Sequence, residues 1–294
     1  EIKEKAHSRL GLFGAAHSPS VNIHLLGAKE ETLQNWQGVL EKLTKEIFEK
    51  LGLEAKKRDS GGYAFVAEKG SSDYIHCAQC GYLDRQAVAR RAKSMLSAEE
   101  PRELEKVATP DAHTIEVLAA FLNIPKEKTA KAVFMTATIK DKEKLVFTIL
   151  RGDMDLSEAK LIAALGASDL RPATDDEIVA IGAVPGYASP VEMKNVVVVV
   201  DDLIPESANL VAGANEEGFH LRNVNYGRDY EASLVTDLAL AQAGDRCPKC
   251  NAVLDAVEAV GLVEVTPILS MKEATFTDEN GKGQPILGAS WPLD

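Results

Sequence analysis

The sequence predicts an α+β protein in which one domain is inserted into another. Three observations lead there. Helical and strand periodicities are mixed along the whole chain. Two Cys-x-x-Cys pairs, Cys77-Ala-Gln-Cys80 and Cys247-Pro-Lys-Cys250, bracket residues 81 to 246. The valine run Val196 to Val200 shows no alternation and reads as a strand buried on both faces. A chain of 294 residues is long enough for two hydrophobic cores. With 45% hydrophobic and 27% charged residues, it is not collagen-like, disordered or a small disulfide scaffold. No apolar run approaches the roughly 20 residues that cross a bilayer, so no membrane partner is expected. The charged start Glu1-Ile-Lys-Glu-Lys5 lacks a signal-peptide core, and a cytoplasmic location is the expectation. The net charge of -12, from 33 basic and 45 acidic residues, argues against binding along nucleic acid, which needs many cationic contacts. Docking of one nucleic-acid end in a local pocket remains open.

In residues 1–106, Leu33, Trp36, Leu40, Leu43, Ile47 and Leu51 recur at spacings of three and four and predict one helical face, stopped at Gly52. Tyr63 to Ala67 reads as a strand, Ser72 to His76 leads into the first cysteine pair, and Asp84 to Ser97 is basic and helical in character. Residues 107–232 open with the turn Thr109-Pro-Asp and a stripe of Ile115, Val117, Leu118, Phe121 and Leu122. A hairpin follows, Ala132 to Ala137 and Leu145 to Leu150, joined by Lys140 to Lys144. Then come a helix (Leu156 to Leu165), the Gly/Pro-rich loop Gly182 to Pro190, and the valine strand. Residues 233–294 predict a helix at Ser233 to Ala243, strands around Ala259 to Val265, and a hairpin turning at Glu279-Asn-Gly-Lys-Gly283.

The stretch from Leu104 to Asp229 resembles the editing insertion of bacterial prolyl-tRNA synthetases, of the YbaK/ProX aminoacyl-tRNA deacylase family. The matching pieces are Lys128-Thr-Ala-Lys-Ala132, Leu150-Arg-Gly-Asp153, Gly182-Ala-Val-Pro-Gly186, Val211 to His220, and Asn223-Val-Asn-Tyr-Gly-Arg-Asp229. Five ordered motifs make the resemblance specific. The flanks (Ile47 to Glu54, Asp59-Ser-Gly, the cysteine pairs, Ala274 to Gly281) resemble the class II catalytic domain around that insertion. The implied fold is a mixed α/β editing domain at 107–232 between two halves, 1–106 and 233–294, of a degenerate antiparallel-sheet synthetase domain. The departures lie in the flanks. Ala15 and Ala16 stand where the family has an arginine-acid motif for ATP. The glycine-rich stretch is cut to Gly61-Gly-Tyr, the proline-pocket region is reduced to Val265-Thr-Pro-Ile-Leu-Ser270, and Asp294 is reached before the last ATP-binding arginine. Amino-acid activation needs cationic clamps on phosphate, so the expectation is a synthetase relic whose editing domain survives.

Ester hydrolysis on tRNA needs a pocket, donors toward the carbonyl oxygen and a placed water, but no covalent nucleophile. No GxSxG elbow or HExxH zinc helix is found. Alone, Lys131 is a solvated lysine; the resemblance makes it the essential lysine that holds the substrate end. Gly186-Tyr-Ala-Ser-Pro190 is a surface turn by composition, and by resemblance the loop whose backbone contacts the aminoacyl end, with Ser189 replacing a frequent glycine. His220 is a structural histidine when read alone and a pocket histidine by resemblance. Asn215 and Asp153 are further substrate-binding candidates, although each also fits a local turn or helix start.

Cys77, Cys80, Cys247 and Cys250 suit a tetrahedral structural zinc; a reduced thiol cluster or a redox pair are the other readings. No cofactor is expected for catalysis. The sequence thus predicts an aminoacyl-tRNA deacylase clearing mischarged tRNA(Pro), alanyl first and cysteinyl second, in trans and without amino-acid activation. Its partner would be the acceptor end of aminoacyl-tRNA(Pro). The alternative is a catalytically silent paralogue that binds tRNA or a synthetase. Oligomeric state is left open, with a dimer as one option from the family.

Overall fold

In a computed structural model the chain forms two units, Arg90–Ala241 and Glu1–Ala89 with Gln242–Asp294. The structure describes residues 45–193 and 196–266, positions 39, 42 and 43, and the strands Leu10–Ala15, Ser18–Leu26, Phe276–Thr277, Gly283–Gln284 and Ile286–Pro292. The inserted unit therefore reaches further in both directions than 107–232. Lys93 and Ser94 make side-chain and backbone bonds into it on one side, and Leu234–Thr236 completes its sheet on the other.

The core of the inserted unit grows from one hairpin. Ala130–Ile139 and Lys142–Arg151 pair along their whole length, from Ala130 opposite Arg151 to Ile139 opposite Lys142. Lys140 and Asp141 join them with φ of 51° and 59°, the left-handed pair of a type I′ turn, whose twist matches that of the strands. Asp169–Pro172 lines one edge of the hairpin antiparallel. On the other, Val197–Asp201 lies parallel to Lys142–Arg151, and Leu234–Thr236 lies parallel to Val197–Asp201. Val199 packs with Met135, Leu150 and Leu161, whereas Val198 and Val200 pack with Phe147, Ile149 and Ile204. The valine run is covered on both faces, as its lack of alternation implies. Leu210–Gly213, Phe219–Val224 and Glu105–Ala108 form a second, antiparallel sheet, joined to the first by a bridge between Thr129 and Val211.

Helices start where short polar side chains accept backbone N–H groups. Thr114 caps Ile115–Leu122, Ser157 caps Glu158–Leu165, and Thr174 caps Asp175–Ala180 with a reciprocal bond from Glu177. The first two stop at left-handed Asn123 and Gly166. The Ile115 stripe divides: Leu118 is buried and Val117 and Phe121 are exposed.

Two predicted helices are absent. Ser233 to Ala243 is an edge strand followed by an extended segment, because the Leu238 N–H is taken by Asp201 Oδ2 at 2.9 Å and Ala239 bridges to Leu156. Of Asp84 to Ser97, Leu83–Arg85 is a strand paired with Tyr74 to His76, and the residues from Arg90 onward are not helical. Their polar groups are spent on distant partners. Lys93 meets Asp201, Asp202 and Asp237 at 2.6, 2.5 and 2.8 Å. Burial alone would lower its pKa, and the three carboxylates outweigh that and raise it.

The outer unit is an antiparallel sheet in the order Leu10–Ala15, Ser18–Leu26, Ile286–Pro292, Asp255–Thr266, Tyr63–His76 and Lys56–Lys57, with Leu83–Arg85 also against Tyr63–His76. Residues 45–51 are helical, and Phe48 is the side chain turned inward, its ring 5.9 Å from that of Tyr63, while Leu43, Ile47 and Leu51 are exposed. Leu33, Trp36 and Leu40 lie outside the described residues, as do residues 279–282 of the predicted turn Glu279 to Gly283, whereas Phe276–Thr277 and Gly283–Gln284 pair antiparallel.

Candidate active site

A cavity of about 630 Å³ opens in the inserted unit and is lined by Lys131, Asp153, Gly186 and His220 together. Lys131 is the second residue of the hairpin strand Ala130–Ile139. Its ammonium donates to Asp155 Oδ1 at 2.7 Å and toward the Met154 carbonyl at 3.4 Å. That partner was missed in the sequence. The hairpin register offers the signal, since Lys131 faces Leu150, so residues just past Arg151 fall beside it.

The loop after Arg151 is tightly determined. Gly152 donates to the Thr129 carbonyl at 2.8 Å, and a Cβ at Gly152 would stand 1.9 Å from Thr129 Oγ1. Only glycine fits there. Asp153 points both carboxylate oxygens at Arg151, at 2.6 and 2.7 Å from Nε and Nη2, while still lining the cavity.

The opposite wall is the Gly186 loop. Gly186 has φ of 80°, a conformation glycine adopts without strain, and Pro185 and Ala188 also face the cavity. Ser189, Pro190 and Asn215 stand behind this wall. Asn215 Oδ1 accepts the Ser189 N–H at 2.8 Å, and Nδ2 donates to the Ser189 carbonyl at 3.2 Å. The Asn215 N–H donates to the Tyr187 carbonyl at 2.8 Å. Asn215 therefore holds the loop that meets the cavity. Ser189 is fully buried, and its hydroxyl accepts the Val191 N–H at 3.2 Å.

His220 is 4% exposed, between the Tyr187 ring, 5.4 Å away centroid to centroid, and Thr109, whose Oγ1 is 2.6 Å from Nδ1. The Gly218 carbonyl already accepts the Thr109 N–H at 2.7 Å. Thr109 Oγ1 also lies 3.5 Å from that carbonyl, so the hydroxyl proton has two acceptors, and the tautomer of the ring follows from which one it takes. Burial lowers the His220 pKa to about 4. At neutral pH the ring is an uncharged donor and a weak base. The cavity thus joins a cation, a neutral imidazole and a glycine-shaped backbone wall, a set suited to holding and polarising a carbonyl.

Residues 109–230 match the family described as the aminoacyl-tRNA editing domain. This part of the chain is an editing domain. The cavity is built largely from it, and Lys131, Asp153, Gly186 and His220 all fall inside the match. Over nearly its whole length, not only in that segment, the chain is similar to proteins of one name. A protein named proline–tRNA ligase from Dehalococcoides mccartyi is 36% identical over 301 residues, covering 98% of this chain and 52% of that protein. Others of the same name are 39% identical over 233 residues (Salinispora tropica; 76% of this chain, 39% of that protein) and 31% over 302 residues (Campylobacter curvus; 98% and 53%). The chain spans about half the length of the D. mccartyi and C. curvus relatives. Among the described residues no helix is long and apolar enough to cross a membrane.

The four cysteines form a second constellation, in the outer unit, with all four sulfurs within 4.8 Å of one another. Cys77 Sγ is 3.4 Å from Cys250 Sγ, and Cys80 Sγ is 3.6 Å from Cys247 Sγ. Both pairs share one backbone design. The first cysteine of each donates to the carbonyl five residues on (Tyr82, Ala252) and accepts from the N–H four residues on (Gly81, Asn251). Gly81 and Asn251 both take positive φ, 73° and 62°. The Lys249 N–H also reaches Cys247 Sγ at 3.4 Å. Four converging thiols on two matched knuckles fit a tetrahedral Zn–S₄ site, whose bonds of about 2.3 Å put the sulfurs a little under 4 Å apart.

Proposed function

We propose that the chain is an aminoacyl-tRNA deacylase that hydrolyses mischarged tRNA(Pro), alanyl-tRNA first and cysteinyl-tRNA second, acting in trans and without activating an amino acid. The observation that carries this reading is the meeting of Lys131, His220 and the Gly186 loop around one cavity of the editing domain. The acceptor end enters with its ester toward Lys131. The ammonium, oriented by Asp155, holds the carbonyl or phosphate end, and the neutral His220 ring shapes the pocket beside it. Water attacks the ester carbon, the carbon–oxygen bond to the ribose breaks, and the ribose oxygen takes up a proton to give free tRNA and free amino acid. Lys131 acts by holding charge, so the step needs no covalent enzyme intermediate. Size selection excludes proline by clash, whereas one methylene more or less is worth only about 1–3 kcal/mol, so alanine and cysteine both enter. Action without activation is supported by Ala15 and Ala16 and by the short Gly61-Gly62-Tyr63 stretch in the synthetase-like flanks.

The four cysteines are proposed to hold a structural zinc that closes the neck of the insertion, with no part in the hydrolysis. A dimer and a synthetase partner belong to the same proposal as open options.

The test is deacylation of alanyl-, cysteinyl- and prolyl-tRNA(Pro) by the wild type and Lys131→Ala. Release of alanine or cysteine, sparing proline and abolished by the substitution, supports the reading. Stable binding of tRNA with no release from any of the three replaces it with a silent binding paralogue.

A further inference from the structure

We propose that Arg151 is a positioning residue of the editing site, and that the strap carrying Lys93 and Ser94 is part of that site although both residues precede the family match at 109–230. The inference rests on the deacylase reading for its kinetic arm only. Arg151 is 1% exposed and its guanidinium is divided between two neighbours. Nη1 donates to the Ser94 carbonyl at 2.6 Å and Nη2 to Ser94 Oγ at 3.1 Å. Nε and Nη2 hold Asp153. A planar fork with five donors spreads over both partners in a fixed geometry, which the three donors of an ammonium, all on one atom, do not reproduce. The Arg151 carbonyl also accepts the Met154 N–H at 3.0 Å. That turn delivers the Met154 carbonyl and Asp155 to Lys131.

The anchor is itself fixed. Beside Ser94, the Lys93 ammonium sits among Asp201, Asp202 and Asp237, and Asp201 is fully buried with its oxygens also accepting the Leu203 and Leu238 N–H groups. Further along, the strap is tied again where Asn209 Oδ1 accepts the Arg102 N–H and Nδ2 donates to the Glu100 carbonyl. A chain of direct bonds thus runs from the carboxylate cluster through the strap and Arg151 to the loop that orients Lys131. The Arg-Gly-Asp sequence at 151–153 is the middle of that chain, each residue with a separate task.

The experiment uses the full chain with Arg151→Lys, Ser94→Ala and, as the reference for a released Lys131, Asp155→Asn. Two quantities are read: kcat and KM for alanyl-tRNA(Pro), and the rate at which acetic anhydride labels each lysine, by peptide mass spectrometry. Arg151→Lys is expected to lower kcat by about tenfold to a hundredfold, the cost of a small misplacement, with KM unchanged. Lys131 labelling should rise to the Asp155→Asn rate while buried Lys160 stays protected. A wild-type kcat with wild-type Lys131 labelling overturns the proposal. So does a joint rise at Lys131 and Lys160, which marks general loosening. Should Arg151→Lys fail to fold, Ser94→Ala, which keeps the carbonyl bond, decides by the same two readouts: a smaller shift of the same kind supports the proposal, and none overturns it. If the wild type deacylates nothing, the enzymatic reading fails alone and the labelling still judges the positioning.

Discussion

Replacing Asn215 by alanine should release the Gly186 loop, and its size can be worked from the bonds. The side chain makes two short bonds to Ser189, at 2.8 and 3.2 Å, and a long one to the Val191 carbonyl at 3.5 Å. Each of the short pair contributes a net 0.5–1.5 kcal/mol or about 1 on average, and a buried N–H left unpaired costs about 1–3. Ser189 is fully buried, so the upper part of that range applies to its amide. Asn215 also sits at φ 52°, where alanine is worse by about 1 kcal/mol. With about 2 for the amide, about 1 for the second bond and about 1 for the strain, these come to about 4 kcal/mol, or roughly a thousandfold in the local opening equilibrium. Hydrogen–deuterium exchange of the peptide spanning 186–191 measures that opening directly, and deacylation kinetics on the same protein report its effect on the cavity wall. Asn215→Gly removes the bonds but not the left-handed geometry, so it should exchange more slowly than the alanine variant by about the strain term. Exchange at the wild-type rate in Asn215→Ala would refute the view that this amide holds the loop, whatever the activity did.

Three further outcomes are expected. His220 has its pKa lowered by burial from 6.5 to about 4, so the folded state favours the neutral ring. Its stabilising share is complete above pH 6.5 and is lost as pH falls toward 4. Between pH 7 and 5 the wild type should lose on the order of 2 kcal/mol that His220→Gln does not lose, as read from denaturant midpoints of the two proteins at each pH. Gly213→Ala would place a Cβ 2.1 Å from the Tyr187 carbonyl oxygen and 2.3 Å from that of Ala188. The loop must retreat, and kcat should fall by about tenfold or more in a protein whose circular dichroism is unchanged. For the cysteines, emission spectroscopy on unchelated protein should find about one zinc per chain, and Cys80→Ser should lower both metal content and melting temperature. Content well below that removes the zinc proposal.

What could be read from the sequence follows the range of the interactions. The Ala130–Ile139 and Lys142–Arg151 hairpin was legible because its signals are local: two β-rich runs and a short charged turn. Val196 to Val200 was legible because five valines leave no polar face to expose. The segment at Ser233 to Ala243 was misread because its apolar residues fit a helix as well as an edge strand, and the choice is made by Asp201 capturing the Leu238 N–H. The basic stretch at Asp84 to Ser97 was misread for a related reason. Its lysine is spent on carboxylates more than a hundred residues away, and no periodicity records that. In the site, resemblance brought Lys131, Asp153, Gly186 and His220 to one cavity, whereas Asp155, Thr109 and Ser94 matter only through a partner elsewhere in the chain.

The matched cysteine knuckles impose an order on biosynthesis. Cys77 and Cys80 leave the ribosome first, and the whole Arg90–Ala241 unit is translated before Cys247 and Cys250 exist. At about 5–20 residues per second the interval is roughly ten to thirty seconds, long compared with the folding of a domain this size. The editing unit therefore has time to fold while the first cysteine pair waits for the second. The late strand Asp255–Thr266, which pairs with the early Tyr63–His76, and the second knuckle arrive as a single closing event. A nascent chain stalled before Cys247 would carry a complete editing-domain cavity while the outer sheet still lacked its late strands.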